Sequence, residues 1–152
     1  MRIGLVSDTH GLLRPAVLDF LRGSDRIVHA GDICDAGVLE ALAAIAPLTA
    51  VRGNNDVGPW SQRLHETELL DVGGVRLLVI HDLSQLGSAA RDAKAHVVVS
   101  GHSHKPLVRR DGDVLFVNPG SAGPRRFKLP ISAGELLVGN GEAEPRLVEF
   151  QG

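Results

Sequence analysis

Three short apolar runs in the first third of the chain, separated by longer amphipathic segments, restrict the fold more than any other feature. The runs are RIGLVS at 2–7, RIVHA at 26–30 and LTAVR at 48–52. Because successive positions in them are apolar, strands made from them would be buried on both faces, as in a parallel sheet covered by helices. The runs therefore predict neighbouring parallel strands.

The segments between these runs have the spacing of helices. PAVLDFLRG, at 15–23, begins with Pro15, which suits a first helical turn, and ends with Gly23, which suits a C-terminal cap. AGVLEALAAIA, at 36–46, carries apolar residues at helical spacing until Pro47 stops it. A βαβαβ beginning is therefore predicted.

From about residue 64 the pattern changes to pairs of strands joined by tight turns. The turn sequences Gly73–Gly74, Asp111–Gly112 and Asn140–Gly141 each separate two apolar runs, which is typical of hairpins. A third helix is predicted over 83–94. Together these elements predict an α/β protein, a four-layer α/β/β/α sandwich of two mixed sheets, formed by a single domain over 1–152.

The composition restricts the setting and the partners. A net charge of -2 gives no general attraction to nucleic acid or to anionic lipid, so neither is an expected partner. The N-terminal residues lack the features of a signal peptide, and no apolar run approaches the roughly 20 residues of a membrane span, so the cytoplasm is the expected location. With Cys34 as the single cysteine, a metal site would have to use oxygen and nitrogen ligands.

Five predicted strands end directly in polar residues that are suited to metal binding. These residues are Asp8, His10, Asp32, Asn54, His81, His102 and His104. Because the carboxyl ends of parallel strands meet at one edge of a sheet, we expect these side chains to lie close together. A set made of oxygen and imidazole suits Mn, Fe, Zn or Ni and does not discriminate among them.

The ordered series DTH, GD, GNND, H and GHSH resembles the calcineurin-like metallophosphoesterases over nearly the whole chain. The segments GHSHKP and NPGSAGPRR make it similar to the compact bacterial and archaeal phosphodiesterase branch, the YfcE-type enzymes. The resemblance implies the metallo-dependent phosphatase fold and hydrolysis of a small phosphate ester, with a diester favoured. It also implies a homo-oligomer, a dimer or a tetramer.

The resemblance also implies how the metals are held. One divalent ion, with Mn²⁺ preferred, would be bound by Asp8, His10, Asp32 and His104, and a second by Asp32, Asn54, His81 and His102. Asp32 would bridge the two ions, and a hydroxide between them would attack phosphorus.

Two further residues are candidates for a direct role with the substrate. Where many phosphatases of the superfamily have a histidine after the metal-binding asparagine, this chain has Asn55, which can hydrogen-bond to the leaving group but cannot protonate it. Arg125, followed by Arg126, comes after the predicted tight turn at 118–121 and would bind the substrate phosphate.

The remaining polar residues near these motifs have structural interpretations. His29 is expected to be structural or to support the ligands, while His65 and His96 are expected at the surface. Asp35 and Asp56 would either orient ligand histidines or cap loops. Cys34 lacks the neighbours of a catalytic thiol.

Two other functional classes compete with a phosphoesterase. The first is a non-catalytic metal-binding scaffold for protein–protein interaction, like the retromer subunit of this same fold, although here no ligand position is missing. The second is another His-x-His metallohydrolase, but an amidohydrolase barrel needs about 250 residues. The denser histidine cluster of the metallo-β-lactamases is absent from the sequence.

Overall fold

The computed structural model describes residues 1–126 and 128–151 and contains two five-stranded sheets. The strands of the first sheet are β1 (Arg2–Val6), β2 (Arg26–His29), β3 (Leu48–Ala50), β9 (Ile131–Gly139) and β10 (Glu142–Phe150). Their order is β10–β9–β1–β2–β3. The β1, β2 and β3 strands are parallel, as predicted, and β9 runs antiparallel to both β1 and β10.

The second sheet is also mixed. Its strands are β4 (Thr67–Val72), β5 (Val75–Ile80), β6 (Val97–Val99), β7 (Leu107–Asp111) and β8 (Val114–Asn118), in the order β4–β5–β6–β8–β7. The central strands β5, β6 and β8 are parallel, while the edge strands β4 and β7 are antiparallel to their neighbours. The ends of β5 and β6 therefore point the same way.

Three apolar clusters define four layers, which confirms the predicted sandwich. Between the sheets, Leu5 and Val28 of the first sheet belong to the same core as Leu77 and Val99 of the second. The helices α1 (Pro15–Leu21) and α2 (Ala36–Ala43) contribute to a second core that includes Ile27 of the first sheet. On the far side, the short helix α3 (Ala89–Asp92) and the segment before it cover β5 and β6.

The first two helices begin as predicted and end earlier. Pro15 lies in the first turn of α1, and Gly23 follows the helix with φ of 84°. The carboxylate of Asp35 caps α2 by accepting a hydrogen bond of 2.8 Å from the Gly37 N–H. The α2 helix ends at Ala43, before the predicted boundary at 46.

The prediction of one continuous helix over 83–94 is wrong. The segment forms a 3₁₀ turn at Leu83–Gln85 and then α3, separated by Gly87. Gly87 has φ of 53°, in the left-handed region, and a right-handed helix cannot continue through that conformation.

The predicted hairpin turns are present at the end of the sandwich away from the polar strand ends. Gly73–Gly74 joins β4 to β5 and Asn140–Gly141 joins β9 to β10, and all four residues have positive φ. The Gly141 N–H donates to the Gly73 carbonyl at 2.9 Å, so the two turns join the sheets. The turn between β7 and β8 is Gly112–Asp113, one residue later than predicted, because Asp111 pairs with Val114.

Within 1–126 and 128–151, none of the helices combines the length and the apolar character that crossing a membrane would require.

Candidate metal centre

The residues predicted to bind metal lie in loops at one edge of the sandwich. Two groups have donor atoms within 4.8 Å of one another, one on Asp8, His10 and His104, the other on Asp32, His81 and His102. Asn54 joins the second group through its side-chain oxygen. All seven predicted ligands are therefore brought together, although they come from five separate loops.

In the first group, three donor atoms face a common point. His104 Nε2 is 3.4 Å from Asp8 Oδ1 and 3.3 Å from His10 Nε2, and His10 Nε2 is 3.9 Å from Asp8 Oδ1. Ligands about 2.0–2.2 Å from a metal lie roughly 3.0–3.5 Å from one another, which is close to this spacing. In the part of the chain that the structure describes, the buried Asp8 Oδ1 has no hydrogen-bond partner. A cation would satisfy that oxygen.

In the second group, the fold orients the histidines and the amide. His81 Nδ1 donates a hydrogen bond of 2.7 Å to the Ala30 carbonyl, so Nε2 is the ring nitrogen that can bind a metal ion. Asn54 Oδ1 lies 3.1 Å from His81 Nε2 and 3.2 Å from His102 Nδ1. His102 therefore presents Nδ1, whereas its Nε2 lies 3.9 Å from the Asp82 carboxylate.

Asp32 lies between the two groups. Its Oδ2 is 3.3 Å from His81 Nε2 and 3.7 Å from His10 Nε2. Burial alone would raise the pKa of the Asp32 carboxyl, but hydrogen bonds from His81 and Asn55 outweigh burial and hold that pKa well below its usual range. Asp32 is thus an ionised carboxylate placed to contact both candidate metal positions.

A metal ion that binds His81 has to compete with a proton, because the pKa of this residue is raised. Burial lowers this pKa, but the hydrogen bond with Asp32 and the charge of Asp8 outweigh burial and raise it overall. A proton on His81 therefore competes with a metal ion for the same nitrogen. The buried Asp8 oxygen and the oxygen and imidazole donors of the two groups fit divalent metal ions.

Five of the seven candidate ligands have backbone conformations that are unusual for residues with a Cβ atom. The φ angles are 55° for Asp8, 46° for His10, 58° for Asp32, 73° for His102 and 62° for His104. The left-handed region costs about 1–2 kcal/mol per residue outside glycine. Such strain persists where the surrounding structure enforces it, and it is often found at functional sites.

Hydrogen bonds to the Asp56 carboxylate hold the loop that carries Asp32 in its conformation. This carboxylate accepts backbone hydrogen bonds of 2.7–2.9 Å from Asp32, Ile33, Cys34 and Gly53. A Cβ atom on Gly53 would collide with the side chain and backbone of Asp32. Of the two interpretations left open for Asp56, the structure shows the capping of loops.

His29 connects the loops that carry the candidate ligands by hydrogen bonds. Its Nδ1 accepts a hydrogen bond of 3.0 Å from the Gly31 N–H, so Nε2–H donates to Thr9 Oγ1, also at 3.0 Å. The Thr9 hydroxyl donates in turn to the Ile33 carbonyl at 3.2 Å. Burial lowers the pKa of His29 to about 4, so the ring is neutral at pH 7. This confirms a supporting role for His29.

The structure adds two serines that sequence analysis did not select, both of which support Asp8. Ser7 Oγ donates to Asp8 Oδ2 at 2.7 Å, and Ser121 Oγ donates to the Asp8 carbonyl at 3.1 Å. Ser121 belongs to the segment predicted to be a simple turn. Ser121 is far from Asp8 in the sequence, so no local sequence pattern connects the two residues. Ser7, by contrast, directly precedes Asp8.

The residues predicted to act on the substrate are placed differently from one another. Asn55 donates to Asp32 through both its backbone N–H, at 2.9 Å, and its side-chain amide, at 3.0 Å.

Arg125 and Arg126 are exposed. Burial is the main cause of the lowered pKa of His10, and the positive charge of Arg126 contributes to it. Of these two arginines, Arg126 is the one whose charge contributes to the pKa of His10.

Cys34 lies beside the centre, with Sγ 3.7 Å from His10 Nδ1. Burial and then the negative charges of Asp56 and Asp32 raise the pKa of the thiol to about 11. The thiol is therefore protonated at neutral pH and is a poor nucleophile.

Two clefts border the metal centre. One, of about 290 Å³, includes Asn54 and His81 in its wall. The other, of about 120 Å³, includes His102 and is largely apolar, with Leu83, Leu107 and Phe116 in its wall. A molecule bound at the centre could therefore extend one substituent into each of these clefts.

Comparisons with known proteins agree with this geometry. Residues 1–140 match the model of the calcineurin-like phosphoesterase superfamily domain. A probable metallophosphoesterase of Methanocaldococcus jannaschii is 30% identical over 99% of this chain and 82% of its own length. The phosphodiesterase YfcE of Escherichia coli K12 is 29% identical over 90% of this chain and 87% of its own length. A mutant of Vps29 from Entamoeba histolytica has a TM-score of 0.78 at 23% identity, covers 99% of this chain and all of its own, and shows a shared fold.

Proposed function

The chain belongs to the calcineurin-like phosphoesterase superfamily, and we propose that it is a phosphodiesterase that hydrolyses small phosphate diesters with two divalent metal ions. The observation that carries this proposal is the pair of ligand groups with Asp32 between them. Bound there, the ions would lower the pKa of a water molecule and polarise the phosphate. We propose Mn²⁺ as the metal, with Zn, Fe and Ni as alternatives that the same donors accept.

The protein's own groups would prepare the centre for this reaction. The Ala30 carbonyl keeps the proton of His81 on Nδ1, away from the metal position. Asn55 orients both carboxylate oxygens of Asp32, so we assign Asn55 a positioning role. Arg125 is proposed to bind a phosphate oxygen of the substrate, which its exposed position after the 118–121 segment permits.

The two clefts support a diester over a monoester. A diester carries two substituents on phosphorus, and each cleft offers one of them a place beside the ligands. A monoester would use one cleft and would leave the other to water. The two clefts and the similarity to phosphodiesterases both support the proposed preference for diesters.

The proposal is tested with purified protein on bis(4-nitrophenyl) phosphate and on 4-nitrophenyl phosphate. We expect the diester to be hydrolysed faster, and hydrolysis to require added Mn²⁺ and to stop in a chelator. Undiminished turnover by metal-depleted protein would contradict the metal mechanism, and a preference for the monoester would contradict the substrate class.

A non-catalytic scaffold is the second candidate, because the fold is shared with Vps29. All seven candidate ligand side chains are present here and lie together, which favours catalysis. Metal-dependent turnover in the experiment above separates the two functions, since a scaffold would bind metal without hydrolysing either ester. The cytoplasmic location and the homo-oligomer stay predictions.

A further inference from the structure

The larger cleft beside the metal centre has a wall that differs chemically from that of its neighbour. It has a volume of about 290 Å³, near the lower limit of the roughly 300–1,000 Å³ of small-molecule sites. Besides the ligands Asn54 and His81, the side chains that matter for recognition in its wall are Arg52, Glu66, Asp82 and Gln85. None of these four is a predicted metal ligand.

The four side chains combine hydrogen-bond donors with acceptors. The guanidinium of Arg52 lies 3.5 Å from the Glu66 carboxylate, so its charge is already paired. Asp82 accepts a hydrogen bond of 3.0 Å from the Ser84 N–H through Oδ1. Gln85 offers both an amide donor and an amide acceptor.

This combination suits a neutral group with several hydroxyls. A second phosphate would face the carboxylates of Glu66 and Asp82, while the cation that could attract it is paired with Glu66. A hydrocarbon group would leave the polar side chains of this wall without hydrogen bonds, which is unfavourable. A hydroxyl group, by contrast, can donate to a carboxylate and accept from an amide or a guanidinium.

Building on the proposed function, we infer that this cleft is a subsite for a hydroxyl-bearing substituent of the phosphodiester, of the size of glycerol or a pentose. Arg52 and Gln85 are its specificity-determining residues. The neighbouring cleft, of about 120 Å³, shares Asp82 with this one, but its surface is largely apolar, with Leu83, Leu107 and Phe116 in its wall. The substrate is therefore asymmetric, with its polar substituent directed towards Gln85.

A pair of synthetic esters isolates the hydroxyl groups. Glyceryl 4-nitrophenyl phosphate and propyl 4-nitrophenyl phosphate have the same carbon skeleton and the same aryl group. The kcat/KM of the Mn²⁺-loaded protein is measured for each, with the products separated so that release of either alcohol is counted. We expect a preference of about five- to tenfold for the glyceryl ester, which corresponds to one or two net hydrogen bonds.

Variants with matched controls assign that preference to the cleft. Gln85→Leu and Arg52→Met should bring the ratio of the two kcat/KM values close to one. Gln62→Leu and Arg63→Met change the same residue types at exposed positions of the 3₁₀ turn Pro59–Arg63, outside this cleft, and should retain the wild-type ratio.

Equal kcat/KM values for the two esters, or a preference that persists in both cleft variants, would overturn the subsite. Hydrolysis of neither ester would instead count against the proposed function. In that case, calorimetry of glycerol phosphate and propyl phosphate binding to the Mn²⁺-loaded protein decides the subsite alone. Tighter binding of glycerol phosphate that is lost in Gln85→Leu supports it, and equal binding overturns it.

Discussion

Asn55 holds the carboxylate of Asp32 at both oxygens. Its backbone N–H donates to Oδ1 at 2.9 Å and its side-chain amide donates to Oδ2 at 3.0 Å. The residue that follows the candidate ligand Asn54 is thus connected to the carboxylate between the two groups of candidate ligands. Its side chain is committed to positioning Asp32, and several expected outcomes depend on that carboxylate.

Replacing Asn55 should weaken the metal centre. In Asn55→His the amide donor to Asp32 is lost, so we expect a loss of about 10–100-fold in Mn²⁺ affinity or in kcat. The decrease should be similar for an aryl and an alkyl phosphodiester, measured at equal metal occupancy. A selective gain on the alkyl ester, whose alcohol leaves poorly, would instead place residue 55 at the leaving group as a proton donor.

Removing Asp32 should affect both metal ions. Because its Oδ2 lies near His81 and His10, we expect Asp32→Ala to lose both ions and more activity than any other ligand substitution. His102→Ala should lose one ion only. Elemental analysis of the purified variants gives the metal content. Asp35→Ala, which removes the cap of α2 and no ligand, is the control. If Asp32→Ala retained one ion, Asp32 would not be the residue that bridges the two ions.

A methyl group at residue 53 should displace Asp32. The Cβ of Gly53→Ala would collide with the Asp32 side chain and backbone, so we expect at least a tenfold loss of activity and weaker metal binding. Gly139→Ala is the control, because its Cβ meets nothing within 4 Å. Calorimetric titration with Mn²⁺ compares the two variants. Wild-type affinity in Gly53→Ala would mean that the loop can shift without moving the ligand.

His29 should make the stability of the metal-free protein depend on pH. Its pKa falls from 6.5 to about 4 on folding because the ring is buried, so below pH 6.5 the unfolded chain binds the additional proton. The free energy of unfolding should therefore decrease as pH falls from 6.5 to about 4, by up to about 1.4 kcal/mol per pH unit from this residue.

Urea unfolding at several pH values in a chelator measures that contribution. His29→Asn should flatten the decrease, whereas His65→Asn, at an exposed position, should leave the slope as in the wild type. Parallel slopes for wild type and His29→Asn would show that the imidazole is protonated in the folded protein.

Local sequence patterns were sufficient for the layers and for selecting seven candidate ligands that the structure brings together. Apolar runs such as 26–30 determine strands buried on both faces, and Gly–Gly or Asn–Gly turns determine hairpins, because these preferences act over a few residues. The position of Asp8 and Asp32 directly after strands then implied a shared edge. The error over 83–94 came from Gly87, which has a positive φ. Glycine permits that conformation but does not require it, so the sequence did not predict the break.

The sequence by itself determined which chemical groups are present and that parallel strands bring them to one edge. Only the tertiary structure decided how each group is used. The hydrogen bond from His81 to the Ala30 carbonyl selects its donor nitrogen, and the bonds from Asn55 orient Asp32. These contacts join residues 23 to 51 positions apart. Their geometry depends on the packing of several loops at once, and no pattern of neighbouring residues encodes it.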